Sequence, residues 1–196
     1  MSTELIADRR SSRQIHIGQV PIGGDAPISV QSMTTVDTRD VVATIDQLRQ
    51  LKAAGCDIAR LAVPDQEAAE ALEAIMHRAP LPVVADIHFN YKFALMAADA
   101  GISALRFNPG NIGAAWKVRE LVASAKDHNI PIRVGVNGGS VEKRLMKNHE
   151  GEPTPEMLVE SAMHHVRILE DENFEDIKIS VKSSQVPTMV AAYKLL

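Results

Sequence analysis

The chain has 196 residues, of which 45% are hydrophobic and 23% are charged, with a formal net charge of -4 and one cysteine. A chain of this length forms roughly one domain with a sizeable core. One cysteine excludes an internal disulfide and cannot supply the thiolates of a structural zinc site or an iron–sulfur cluster. There is no basic excess to indicate nucleic-acid binding, and no apolar run reaches the ~20 residues of a membrane span. We therefore expect a cytoplasmic protein with neither nucleic-acid nor membrane partners.

The first predicted unit is a polar N-terminal arm, residues 1–26, with a possible short hairpin over 14–22. From Pro27 onward, short runs rich in Val, Ile and Leu alternate with helical patterns, which is typical of parallel βαβ units. The predicted strands are 27–33, 57–63, 82–89, 103–108, 132–137 and 176–183. The predicted helices are 39–54, 65–78, 91–100, 114–129, 155–171 and 187–196.

The serial βα units fit either an open doubly wound sheet or a closed barrel. Polar residues near the carboxyl end of almost every strand favour the barrel, because an open sheet gathers them at one switch point. A complete barrel has eight units in about 250 residues, and only six strands are predicted here. The expected fold class is α/β, with an incomplete TIM-type (β/α) barrel over residues 27–196.

Charged side chains recur on one face of the predicted strands. Residues two apart on a strand share a face, and both faces of a helix-covered parallel sheet are normally buried. Buried cations need a partner or a ligand, and Arg and Lys in such a cluster suit a phosphate or a diphosphate. The candidate binding residues are Arg60, Asp86, His88, Arg106, Asn108, Arg133, Asn137 and Lys182.

Asp86 and His88 lie on the same face of their strand and allow three interpretations. They could be a hydrogen-bonded core pair, an acid/base or orienting pair in which the carboxylate holds the imidazole, or half of a metal site. The glycine-containing turns at 108–113 and 136–140 could cradle an anion or simply reverse the chain. Cys56 is predicted at the opposite rim of the sheet as a small hydrophobe.

Six strings, in this order and spacing, closely resemble the N-terminal barrel of the 4-hydroxy-3-methylbut-2-en-1-yl diphosphate synthase family of the non-mevalonate isoprenoid pathway. The strings are VQSMT (30–34), VADIHF (84–89), LRFNPGNIG (105–113), IRVGVNGGS (132–140), EPTPEMLVESAMHHV (152–166) and ISVKSS (179–184). The resemblance runs from about Arg13 to the last residue.

This resemblance implies the reductive ring opening of 2-C-methyl-D-erythritol 2,4-cyclodiphosphate, with electrons from a 4Fe–4S cluster recharged by ferredoxin or flavodoxin. It implies that the eight candidate residues line the diphosphate site and that the full-length protein is a homodimer. The family's cluster ligands belong to a C-terminal iron–sulfur domain absent from these 196 residues. We therefore expect no metal ligands here and no turnover by this chain alone. The alternative function is that of a redox-free phosphate-handling barrel related to dihydropteroate synthase, with His88 or Asp86 as the acid/base group.

Overall fold

The computed structural model describes residues 10–147 and 149–196, which form a six-stranded sheet and a separate two-stranded hairpin. The strands are β1 Ile15–Ile17, β2 Val20–Ile22, β3 Gln31–Met33, β4 Ile58–Ala62, β5 Val83–Asp86, β6 Ala104–Arg106, β7 Ile132–Asn137 and β8 Ile177–Lys182. The helices are α1 Val41–Ala53, α2 Gln66–Met76, α3 Tyr91–Asp99, α4 Pro109–Ile112, α5 Ala115–Asp127, α6 Pro155–Glu170 and α7 Val186–Leu195. Residues 1–9 of the predicted arm lie outside the described residues.

The six strands of the main sheet are parallel and stand in chain order from β3 to β8. An open doubly wound sheet changes strand order at a switch point, whereas a (β/α) barrel adds each strand beside the last. The observed order therefore confirms the predicted α/β class and the incomplete TIM-type barrel, with six of the eight units that a full barrel contains.

Helix ends follow local sequence signals. Asp40 and Asp65 precede α1 and α2, and each side chain accepts a hydrogen bond from the third residue beyond it. Thr154 caps α6 in the same way, with Pro155 in the first turn. Within the described part of the chain, none of the helices is long and apolar enough to cross a membrane.

All the predicted strands except β7 are shorter than expected, and β3 and β5 differ most. Strand β3 begins at Gln31 and not at residue 27, because Pro27 has no N–H to donate and Ile28 is 87% exposed. Strand β5 ends at Asp86, after which the chain turns towards α3, which is capped by Asn90. Alternation along the predicted strand 82–89 would put Phe89 on the apolar face with Ile87, but the strand ends before it and Phe89 is 74% exposed.

The two faces of the sheet are chemically different. The outer face carries apolar residues that pack under the helices, including Leu61, Ala85 and Leu105, all fully buried. Burial of this surface is the main stabilising term for the βα units. On the inner face, Ile58, Val84 and Ala104 form a small apolar cluster closed from below by the hairpin residue Ile17. The hairpin thus seals the amino ends of the strands and leaves the inner face above it for polar groups.

Candidate anion-binding site

The strand register places charged side chains next to one another on the inner face. Asp86 of β5 pairs with Arg106 of β6, Arg106 pairs with Arg133 of β7, and Arg133 pairs with Lys178 of β8. Residues paired across neighbouring strands point to the same side of a sheet. Arg133 is only the second residue of β7, yet the stagger between the strands brings it level with the carboxyl end of β6.

Asp86 organises two of the arginines. Its side chain is 6% exposed, and its Oδ1 accepts a hydrogen bond from Arg106 at 3.0 Å. Its Oδ2 lies 3.5 Å from Nε of Arg60, whose guanidinium also donates to the sulfur of Met33. A buried carboxylate flanked by two guanidinium groups is fully engaged. These contacts let Asp86 orient the two guanidinium groups.

Arg106 and Arg133 lie against β7 and β8. Arg106 donates to the carbonyl oxygen of Gly135 at 3.3 Å, and Arg133 donates to the hydroxyl of Ser180 at 3.2 Å. A Cβ at position 135 would stand 3.1 Å from Nε of Arg106, so the absence of a side chain lets the guanidinium lie close to the strand. Both side chains remain partly exposed, which leaves donors free for a ligand.

Asn108 uses its amide group within the protein. Its Nδ2 donates to the carbonyl oxygen of Gly135 at 2.7 Å, and its Oδ1 accepts from the N–H of Gly135 at 2.9 Å. The side chain is buried and continues the β6–β7 ladder one step beyond the last backbone pair. Asn108 thus lies at the predicted site, where it fixes the backbone of β7.

The three remaining predicted residues stand at the open end of the sheet. Asn137 and Lys182 are the last residues of β7 and β8 and are paired across the two strands. His88 follows β5 with half of its side chain exposed, and its Nε2 is 3.8 Å from Oδ1 of Asp86. That separation exceeds hydrogen-bonding distance but lies within ion-pair range of the Asp86 carboxylate.

Lys178 is a further cation beside the predicted site and is not among the eight candidate residues. It lies on the inner face beside Arg133 and lines a cavity of about 440 Å³ together with Arg60 and residues of β3. Its signal in the sequence is the alternation Lys178, Ser180, Lys182, which puts all three side chains on one face. Most of the candidate residues lie in the second half of their predicted strands, whereas Lys178 is the second residue of β8. The stagger between β7 and β8 brings it next to Arg133, and the sequence of one strand does not specify that stagger.

The cations perturb one another. Burial lowers the pKa of the Arg133 guanidinium, and the charges of Arg60 and Arg106 lower it further. Burial and then Arg133 lower the pKa of Lys178. The pKa of Lys182 is lowered by burial and by the three arginines, against the opposing effect of Asp86. Each shift is caused first by burial and then by neighbouring cations, and such a concentration of positive charge would attract an anion.

The described residues do not fit a metal cluster. No group of three or more His, Cys, Asp or Glu side chains within residues 10–147 and 149–196 is arranged to hold a metal ion. Cys56 is buried at the opposite rim of the sheet, where its Sγ lies near the carbonyl oxygens of Val30 and Ile58. A cysteine-ligated iron–sulfur cluster cannot be held by this one thiolate.

The fold also occurs in proteins of distant sequence. The dihydropteroate synthase of Vibrio fischeri superposes with a TM-score of 0.61 at 12% identity, over 94% of this chain and 72% of that one. A truncated 3-deoxy-D-arabino-heptulosonate 7-phosphate synthase from Thermotoga maritima gives 0.58 at 15% identity, over 86% and 56%. At such identities these similarities show the fold alone.

Comparison of amino-acid sequences identifies relatives at much higher identity than these solved structures. The proteins of Geobacter sulfurreducens and Pseudomonas savastanoi pv. phaseolicola, both named 4-hydroxy-3-methylbut-2-en-1-yl diphosphate synthase (flavodoxin), are each 58% identical to this chain, over 96% and 100% of it. The chain spans 53% of the length of each, about half of the relatives it matches. Residues 12–196 match the GcpE TIM-barrel domain. The chain therefore belongs to the GcpE TIM-barrel domain family.

Proposed function

We propose that this chain is the substrate-binding barrel of a 4-hydroxy-3-methylbut-2-en-1-yl diphosphate synthase of isoprenoid biosynthesis. The overall reaction converts 2-C-methyl-D-erythritol 2,4-cyclodiphosphate to 4-hydroxy-3-methylbut-2-enyl diphosphate, with uptake of two electrons and two protons and release of one water. The observation that carries the proposal is the row of Arg106, Arg133 and Lys178 across three neighbouring strands. The names of the 58% identical relatives support the choice of substrate.

The contribution of this chain is to bind and orient the diphosphate. Arg60, Arg106 and Arg133 can each present a planar pair of N–H donors to phosphate oxygens, and Lys178 and Lys182 add point charges. Asp86 and Asn108 keep Arg106 and β7 in place before the ligand arrives. Such preorganisation lowers the cost of binding. Positive charges fixed around the diphosphate also stabilise the negative charge that ring opening leaves on it.

His88 and Asn137 complete the proposed site at its open end. The imidazole of His88 lies 3.8 Å from the Asp86 carboxylate and is half exposed, so its outer edge can contact a ligand directly. Asn137 is paired with Lys182 across β7 and β8, which sets both residues at the same height above the cavity. We assign them to binding of the substrate's polar groups.

The reduction itself requires a redox centre that the described residues do not supply. We propose that the 4Fe–4S cluster lies in another part of the whole protein, that flavodoxin donates its electrons, and that the whole protein is a cytoplasmic homodimer. The relatives' names include flavodoxin, which favours it over ferredoxin. The 196-residue chain alone is then expected to bind the cyclodiphosphate without reducing it. Iron–sulfur absorbance together with product formation by this chain would contradict that expectation.

The redox-free alternative is not favoured. The similarity to dihydropteroate synthase is limited to the fold at 12% identity, whereas relatives at 58% identity bear the synthase name. In the alternative function, Asp86 or His88 would act as the general acid or base. Asp86 is held by Arg106, and His88 stands beyond hydrogen-bonding distance of it.

Calorimetric titration of the chain with the cyclodiphosphate tests the binding role. We expect Arg106→Ala and Arg133→Ala each to weaken binding at least tenfold, or about 1.4 kcal/mol, because each removes charged donors from the ligand. Arg49→Ala is the matched control, since this arginine is exposed on α1, where it pairs with Asp46. Unchanged affinity in both arginine variants would refute the anion site.

A further inference from the structure

One buried histidine lies outside the proposed site but contacts the segment that follows β6. His165 belongs to α6 and is 4% exposed, whereas its neighbour His164 faces solvent. Its ring reaches α4, where Nδ1 accepts a hydrogen bond from the N–H of Gly110 at 3.2 Å. Gly110 lies 55 residues earlier in the chain, so the contact joins two separate βα units.

The fit between the ring and the turn depends on the glycine. A Cβ at position 110 would stand 2.5 Å from Cε1 of His165 and 3.2 Å from Nδ1. Carbon atoms do not approach so closely without displacement, so any larger residue would move the ring or the turn. Gly110 has no positive φ that would itself require glycine. The close approach of the imidazole is therefore the reason for a glycine here.

A carboxylate lies on the other side of the ring. Nε2 of His165 faces Oε1 of Glu142 at 3.6 Å, in the connection between β7 and α6. Because Nδ1 accepts the Gly110 N–H, the proton of the neutral ring lies on Nε2, directed towards the carboxylate. Burial lowers the pKa of His165, which keeps the ring neutral and Nδ1 free to accept.

We propose that His165 is a positioning residue of the anion site, because it holds α4 in place. Helix α4 directly follows Asn108, which in turn lies two residues after Arg106 at the end of β6. Asn108 immediately precedes α4 and clamps Gly135, while Arg106 donates to the carbonyl oxygen of that same glycine. Displacement of Gly110 would pull on Asn108 two residues earlier and thereby on the strand that carries Arg133. This role rests on the proposed function, since it serves the binding of a diphosphate.

The hydrogen bond itself can be observed by NMR. In the ¹⁵N-labelled chain we expect a scalar coupling between the amide nitrogen of Gly110 and Nδ1 of His165, which an N–H···N hydrogen bond transmits. A His165 ring that only packed against Gly110, without accepting its N–H, would give no such coupling. Its absence in the folded wild-type chain would overturn the proposal.

Affinity for inorganic pyrophosphate, measured by calorimetry, tests the positioning. We expect His165→Leu to weaken binding about fivefold, comparable to the loss of one ordinary hydrogen bond. His165→Asn places an acceptor oxygen near the position of Nδ1 and should stay within about twofold of wild type. His164→Leu, the same substitution at the exposed neighbour, should leave affinity unchanged.

Gly110→Ala disrupts the same contact from the side of α4. It replaces His165→Leu as the test of the positioning role if that variant does not fold. Its added Cβ should displace the ring and weaken pyrophosphate binding to a similar degree. Wild-type affinity in either folded variant, or equal losses in the Leu and Asn variants, would overturn the proposal. A wild-type chain that binds no pyrophosphate but shows the Gly110 coupling would instead refute the proposed function while leaving the contact established.

Discussion

At the residue scale, a single carboxylate decides how the cations of the inner face are held. Asp86 contacts Arg106 at 3.0 Å and Arg60 at 3.5 Å, and Arg133 stands next in the row. Without Asp86, these guanidinium groups would share a partly buried space with no negative charge beside them. Removal of one member of a buried ion pair costs more than the pair contributes, because it leaves the other charge desolvated and unpaired.

The variant Asp86→Asn should therefore lower the free energy of unfolding by about 3 kcal/mol. Inorganic pyrophosphate should restore more stability to this variant than to wild type, because the anion replaces the missing charge. Urea denaturation with and without the ligand measures both effects. Asp46→Asn is the control, since its ion pair with Arg49 is exposed and contributes little. Equal stability of the two variants would contradict the role given to Asp86.

The protonation of His165 gives a second test at this scale. Burial lowers its pKa below the ordinary 6.5, Glu142 opposes the shift, and His164 and Arg144 add to it. As the pH falls below 6.5, the unfolded chain binds a proton that the folded chain does not yet accept. Stability is therefore lost from pH 6.5 down to the lowered pKa, with a slope of at most about 1.4 kcal/mol per pH unit.

The variant His165→Asn cannot titrate and should lack this part of the pH dependence. We expect the difference in unfolding free energy between wild type and variant to shrink as the pH falls from 7 to 5. Most other titrating groups are shared and cancel in that difference. Burial raises the pKa of Glu142, but hydrogen bonding and the charges of His165 and Arg144 outweigh it and lower that pKa overall, so Glu142 titrates mainly below this pH range. A difference that stays constant with pH would show that folding does not change the pKa of His165 and would contradict this prediction.

At the element scale, the sequence predicts the order and type of the elements but not the contacts between them. Strand β7 has the predicted bounds, and alternation in its sequence correctly puts Arg133 on the face opposite Val134. The engagement of Asn108 with Gly135 depends on how far β6 and β7 are staggered, which neither strand encodes alone. The stagger between β7 and β8 likewise brings Lys178 level with Arg133. Alternation within β8 alone therefore could not identify Lys178 as a neighbour of the site.

The amide of Asn108 makes a direct prediction about the β6–β7 connection. Asn108→Asp keeps the acceptor for the Gly135 N–H but replaces the donor with an oxygen that faces the Gly135 carbonyl. A buried acceptor without its donor costs about 2 kcal/mol, and we expect this loss in urea denaturation. Asn111→Asp, the same change at an exposed position of the same turn, is the control. Equal denaturation midpoints for the two variants would show that the clamp does not support the fold.

At the scale of the whole molecule, the two edges of the sheet expose apolar side chains. Strand β3 forms one edge, and just before it Ile28 and Val30 are 87% and 55% exposed. Beyond β8, at the other edge, Val186, Val190 and Tyr193 are spaced along one side of α7 and are between 45% and 64% exposed. Unpaired strand edges beside exposed apolar groups favour pairing with another chain.

We therefore expect the 196-residue chain to self-associate as its concentration rises, with an average mass in sedimentation equilibrium above that of the monomer. Val190→Glu places a charge in the middle of the apolar stripe on α7 and should shift the equilibrium towards monomer, because association would then bury an unpaired carboxylate. Val42→Glu is the control, since Val42 is also an exposed valine, at 65% against 45% for Val190, and lies on α1, away from that stripe. If both variants associate as wild type does, α7 takes no part in the contact and the β3 edge becomes the surface to test.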